Sequence, residues 1–176
     1  MSRRTLNAAE DFAALFKTVR RSSWRWECQG WYAVDVPDVE RWLRGEPAVE
    51  TDEDRAWVEY IAGLRASGVP FARVRMLTDP LTDYLRWMLA TTDRNVEAGE
   101  DIRWVEQRDA AGLGLPDYDF YIFDDDRVVI LRFDDGKQLV AVELDDDPDV
   151  VRQHQQWRDQ VWPLAIPHTD YRAGDR

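Results

Sequence analysis

Apolar residues along this chain follow two rhythms, one helical and one alternating, and the two divide the sequence unevenly. Near the start, Phe12, Leu15, Phe16 and Val19 share one helical stripe, and Asn7 with Glu10 three positions on has the form of a cap in front of it. Ser22 and Ser23 break that stripe. W-R-W-E-C-Q-G-W-Y-A-V then alternates well enough for a strand or hairpin, with Trp24, Trp26 and Cys28 on one face. A short helix is predicted over Val36–Leu43, stopped by Gly45 and Pro47. A longer one over 51–68 carries Trp57, Ile61 and Leu64 and closes at Gly68.

Beyond residue 69 the strand rhythm takes over. F-A-R-V-R-M-L reads as a strand, and D-P-L-T-D-Y-L-R-W-M-L opens a helix with Asp79 as cap, Pro80 in the first turn and a buried stripe of Leu81, Tyr84, Leu85 and Met88. Gly99 ends that element and I-R-W-V-E is the next strand. Strand, helix, strand at this spacing predicts a parallel crossover of the right-handed kind. After G-L-G-L-P come D-F-Y-I-F, R-V-V-I-L-R-F and Q-L-V-A-V-E-L, the last two joined by D-D-G-K, a hairpin signal. A helix from D-P-D-V-V onward is stopped by Pro163. The expected fold is mixed α+β: a mixed sheet with a βαβ unit followed by an antiparallel meander, helices packed on it, and a helical N-terminal third. One domain is expected over 1–171, with 1–68 mainly helical, 69–165 forming the sheet-containing core, and 172–176 a tail.

Charge interrupts these apolar segments, and buried charge is costly unless paired or hydrogen-bonded. Period-two geometry puts Arg73 and Arg75 on one strand face, with Val74 and Met76 on the other. On the next helix Asp83, Arg86 and Trp87 fall at i, i+3 and i+4, opposite the buried stripe. Glu100 and Asp101 sit at the mouth of the second strand with Arg103 inside it; Asp119 enters the third strand and Asp124 leaves it. Ligands of open α/β sheets bind beyond strand ends near a crossover, so these nine residues form the candidate site. Two readings stay open: a structural network of Arg–Asp and Arg–Glu pairs, or a ligand site. An anionic ligand suits Arg73, Arg75 and Arg86. A divalent metal would need Glu100, Asp101, Asp119 and Asp124 gathered together. Their spacing favours neither, so no metal and no cofactor is assigned.

Composition narrows the classes. A hydrophobic fraction of 44% with nine Trp indicates a globular chain despite 33% charged residues. A net charge of -12 disfavours phosphate-backbone binding, so no direct nucleic-acid contact is expected. One cysteine, Cys28, fits a reducing compartment and reads as a buried small hydrophobe. No apolar run reaches membrane-spanning length and M-S-R-R-T-L-N lacks a signal-peptide core, which together predict a soluble cytoplasmic protein. His154 shares a helical face with Val150, Trp157 and Val161 and reads as a core or boundary histidine; His168, in a Pro-bounded tail, is expected in solvent. G-L-G-L-P has no helix opening behind it and fails as a phosphate cradle. Trp26, Trp42, Trp57 and Trp157 are expected in the core, with Trp31 and Trp87 as candidate interface anchors.

The motifs P-L-T-D-Y-L-R (80–86), A-G-E-D-I-R (98–103), L-P-D-Y-D-F-Y-I-F-D-D (115–125) and R-D-Q-V-W-P (158–163) together resemble an uncharacterised family of actinobacterial proteins. The resemblance runs from the region of Phe12 and Phe16 to Tyr171. It implies a regulatory or toxin–antitoxin-like setting, because members are encoded beside helix-turn-helix regulators and small acidic proteins, the partners to expect here. G-E-D-I-R followed by D-F-Y-I-F-D-D-D-R-V-V-I also looks like half of a phospholipase D-type domain. The H-x-K-x-x-x-x-D of that superfamily is absent, which implies a copy without the histidine nucleophile. The expected function is a non-catalytic regulatory or interaction protein working with a helix-turn-helix regulator. The alternative is a hydrolase or nuclease-like toxin acting from the Arg/Asp/Glu crevice.

Overall fold

The computed structural model describes residues 3–7 and 11–173. Eight strands and eight helices alternate along them: β1 (Arg4–Leu6), α1 (Asp11–Phe16), β2 (Ser23–Glu27), α2 (Val36–Leu43), α3 (Asp52–Ala66), β3 (Phe71–Leu77), α4 (Asp83–Thr91), α5 (Asp93–Ala98), β4 (Asp101–Glu106), α6 (Gln107–Ala110), β5 (Asp119–Phe123), β6 (Arg127–Phe133), β7 (Leu139–Asp145), α7 (Pro148–Val161), β8 (Ile166–Pro167) and α8 (His168–Ala173). All strands join one mixed sheet in the order β1-β7-β6-β5-β2-β3-β4-β8. β2, β3 and β4 run parallel, and every other pairing is antiparallel. The expected mixed α+β architecture is therefore present, as are the 71–77 to 101–106 parallel unit and the meander that follows.

The N-terminal strand is placed differently from its expected role in a mainly helical third. β2 is a central strand, held between β3 and β5. Its alternation W-R-W-E serves two buried faces rather than one. Trp24 and Trp26 enter a core with Val74, Val105, Phe120, Ile122 and the residues of α7. The opposite phase, Arg25 and Glu27, faces the other side of the sheet, where α1, α3 and α4 pack.

That second face has an unusual partition. Phe71, Tyr121, Phe123, Val129, Leu131 and Ile61 form an apolar cluster under α1 and α3. Leu77, Tyr84, Leu85, Ile102 and Trp104 form another under α4. Between them lies a row of charge: Arg25 is paired in register with both Arg73 and Tyr121, and Glu27 with Arg75.

Two local expectations are corrected. The helix after β3 is capped by Thr82, whose hydroxyl accepts from Leu85 N–H and donates to the Gly30 carbonyl at 2.6 Å; Asp79 lies upstream, in the extended turn that a following proline favours. His168 is not in solvent but 1% exposed, because α8 folds back onto β4 and Trp104 Nε1–H donates to His168 Nδ1 at 2.9 Å. The other ring nitrogen, Nε2, therefore carries the proton and donates to Asp93 at 3.0 Å. The expected Asn7–Glu10 cap lies outside the described residues.

Candidate functional site

The charged row is the floor of a cavity of about 390 Å³. Arg25, Glu27, Arg73 and Arg75 project from adjacent parallel strands because residues two apart in a strand point the same way. The walls are Phe12 and Phe16 of α1, Tyr32 and Asp35 ahead of α2, Trp57 of α3, and Tyr84, Trp87 and Met88 of α4. The site thus stands over the middle of one sheet face, not beyond the strand ends.

Three guanidiniums meet three carboxylates there. Glu27 is shared: its oxygens lie 3.4 Å from Arg25, 3.3 Å from Arg73 and 3.2 Å from Arg75. Arg73 also reaches Glu100 at 2.7 Å, and Arg25 reaches Asp119 at 3.0 Å. Each carboxylate has neutral donors as well. Glu100 accepts from Trp57 Nε1–H and Asn95 Nδ2–H, both at 2.8 Å. Asp119 accepts the Tyr32 hydroxyl at 2.6 Å and the Cys28 amide at 3.0 Å. Arg75 donates to Thr92 at 2.9 Å and lies over the Trp104 ring. Ions this deeply buried persist only with such complete pairing.

The electrostatics follow from that geometry. Burial opposes ionisation of Glu27, but the charges of Arg25, Arg75 and Arg73 outweigh it and hold its carboxyl well below the usual range. Asp35, on the cavity wall, behaves oppositely: burial and the nearby Glu27 charge push it up to about 6 against a hydrogen bond with Tyr84. Burial and the Asp119 and Glu27 charges likewise raise the Tyr32 hydroxyl. The Cys28 thiol is pushed far up by burial and by Asp119, so it stays protonated.

Of the nine residues proposed from the sequence, the structure brings Arg73, Arg75, Glu100 and Asp119 together and leaves five apart. Asp83 and Arg86 pair with each other at 2.6 Å on an exposed helix face. Asp101 and Arg103 pair at 3.1 Å on the opposite phase of β4, with Arg103 stacked 3.7 Å over Trp162. Asp124 caps a turn at the far end of β5, accepting the amides of Arg20, Arg21 and Ser22 and pairing with Arg127. The four acids a divalent ion would need are thus dispersed, and among the described residues no group of three or more His, Cys, Asp or Glu gathers as a metal site. Trp87 is half-buried on the cavity wall, whereas Trp31 is 37% exposed.

Sequence reasoning missed Arg25, Glu27, Tyr32 and Asp35. The signal was present in W-R-W-E: a strand buried on both faces must bury its polar phase too. It was lost because β2 was read as part of a helical region.

A mixed eight-stranded sheet with helices on both faces, carrying a buried charged floor, defines the class. Residues 10–173 match the family described as Domain of unknown function (DUF6879), and the chain belongs to it. A comparison with curated proteins found no match. Among solved structures the fold is similar to that of TrmBL2, described as an archaeal chromatin protein with a novel mode of DNA binding, at 11% identity and a TM-score of 0.54 over 95% of this chain and 53% of that one. The chain therefore spans about half the length of TrmBL2. NucT from Helicobacter pylori is similar at 9% identity and 0.53 over 94% of this chain and 98% of that one. Phosphatidylserine synthase of Haemophilus influenzae Rd KW20 gives 13% identity and 0.48, over 94% and 39%. At such identities the likeness shows a shared fold alone. Among the described residues no helix is long and apolar enough to cross a membrane.

Proposed function

We propose that this chain is a non-catalytic, cytoplasmic regulatory domain that takes a small organic anion over its arginine floor and works with a helix-turn-helix regulator. The observation that carries this reading is the cavity itself: three guanidiniums fixed by Glu27, Glu100 and Asp119 beneath aromatic walls, at a volume typical of small-ligand sites. A carboxylate clamped by three arginines is a poor base. His154 packs in the opposite core against Phe120, His168 is tied to Trp104 and Asp93, and Cys28 is protonated. The actinobacterial resemblance and its gene setting support the partner, a phospholipase D-like scaffold without its histidine supports a sensor role, and the charge of -12 supports the absence of direct nucleic-acid contact.

The test is a thermal-shift titration of the full chain with hexanoate and with inorganic phosphate. A saturable rise in Tm with either, lost in Arg75→Met, is expected from linkage. No rise with either at millimolar concentration contradicts the reading.

One observation favours the toxin alternative. Asp35, with its carboxyl raised to about 6, opens on the same cavity and suits a general acid near neutral pH. Growth arrest on expression, relieved by Asp35→Asn with the fold intact, is the outcome that reading requires.

A further inference from the structure

The cavity over the arginine floor continues past α4. A second recess of about 460 Å³ opens on the far side of Asp35, Trp87, Met88 and Asn95, and these four residues line both spaces. The two recesses differ in sign. The inner one presents Arg25, Arg73 and Arg75 against Glu27 and Asp35. The outer one presents Asp35, Asp38, Glu46, Asp54 and Asp93 against only Arg41 and Arg94. Those acids are fixed in place, Asp38 near Arg41 at 3.9 Å and Asp54 accepting from the Thr51 hydroxyl and amide at 2.8 Å, yet a surplus of negative charge remains.

Two further features mark the path. Arg73, with its side chain 6% exposed, lines the inner recess and keeps an Nε–H without a hydrogen-bond partner, so its donor capacity is not exhausted by Glu27 and Glu100. Trp87 and Met88 make the neck apolar, and Trp42 lines the outer recess, where an indole face attracts a cation. Charge of opposite sign at the two ends with an apolar middle selects a ligand of the complementary pattern.

We propose that the joined recesses bind an elongated small zwitterion, its anionic end over Arg73 and Arg75 and its ammonium end beside Trp42 and Asp38. This rests on the reading of the inner cavity as a binding site and adds the chemical class and the orientation of its ligand. A molecule with only an acid would leave the outer recess unmatched; one with only an amine would meet guanidiniums.

Isothermal titration of the full chain with three matched probes, 6-aminohexanoate, hexanoate and hexylamine, tests it. The zwitterion is expected to bind about tenfold more tightly than either monofunctional probe, a difference of about 1.4 kcal/mol. Asp38→Asn, at an exposed position, is expected to lower affinity for 6-aminohexanoate several-fold and leave hexanoate unchanged. If hexanoate binds as tightly as the zwitterion, the orientation is wrong while the anion site stands. If hexylamine binds tightest, both the orientation and the inner anion site are wrong. If none of the three binds at millimolar concentration, the cavity is not a small-ligand site of this class and both proposals go.

Discussion

Glu27 is the residue on which the charged floor turns. It is 4% exposed and is the only carboxylate in reach of Arg25, Arg73 and Arg75 together. Glu27→Gln keeps the shape and removes the charge, leaving three buried guanidiniums with two counter-ions. Breaking a buried pair in this way costs about 3–5 kcal/mol, so denaturant unfolding should show a large loss of stability. A loss of less than about 1 kcal/mol, the range of exposed pairs, would mean the cluster is solvated. Asp35 supplies a prediction of the opposite sign. Its folded carboxyl lies near 6, above its ordinary 3.8, so the folded state holds the proton more tightly. That contribution is complete below about pH 4 and is lost as pH rises through about 6. Asp35→Asn should therefore flatten the stability profile between these values and leave the variant relatively more stable at pH 7 to 8. An unchanged slope would show that Asp35 is not buried as described. Glu27 works the other way: its carboxyl is held down, so its stabilisation is present above its ordinary 4.5 and is lost on acidification.

At the scale of elements, α8 makes the clearest prediction. Its first residue, His168, accepts the buried Trp104 indole N–H and donates to Asp93, joining β4, α5 and α8. His168→Ala leaves that N–H without an acceptor, a loss of about 1–3 kcal/mol, and hydrogen exchange should show α8 and the β8 edge opening first. Protection unchanged at β8 would remove this tie from the account. The same element shows where sequence reading ends. Strong period-two or capped segments were legible: 71–77, 101–106, the 127–145 hairpin and the helix opened by Asp147 all fall where pattern put them. β1 and β8, of three and two residues, exist through their partners β7 and β4 and carry too little alternation to be read. The burial of His168 was invisible for the same reason, since it depends on Trp104, sixty-four positions away. Of the site, Arg73 and Arg75 were readable as one strand face, whereas Arg25 and Glu27 required the knowledge that β2 is central.

Across the whole molecule, the charged row separates two apolar clusters on one sheet face, and the opposite face is a continuous core under α7. Such a fold could have filled the row with leucine or isoleucine, since replacing buried ion pairs by apolar side chains is often neutral or stabilising. Retaining three arginines beneath an open cavity is the feature that the binding function explains. The most direct check is nitrogen-15 NMR of the arginine side chains in the full chain. The Nε–H signals of Arg25, Arg73 and Arg75 should exchange slowly with water and stand apart from those of the surface arginines. On titration with 6-aminohexanoate or hexanoate, the signals of Arg73 and Arg75 should move together and saturate, with Arg86, Arg103 and Arg127 unaffected. Slow exchange with no movement under any probe would show a floor that only holds the sheet together, and would contradict the claim that it meets a ligand.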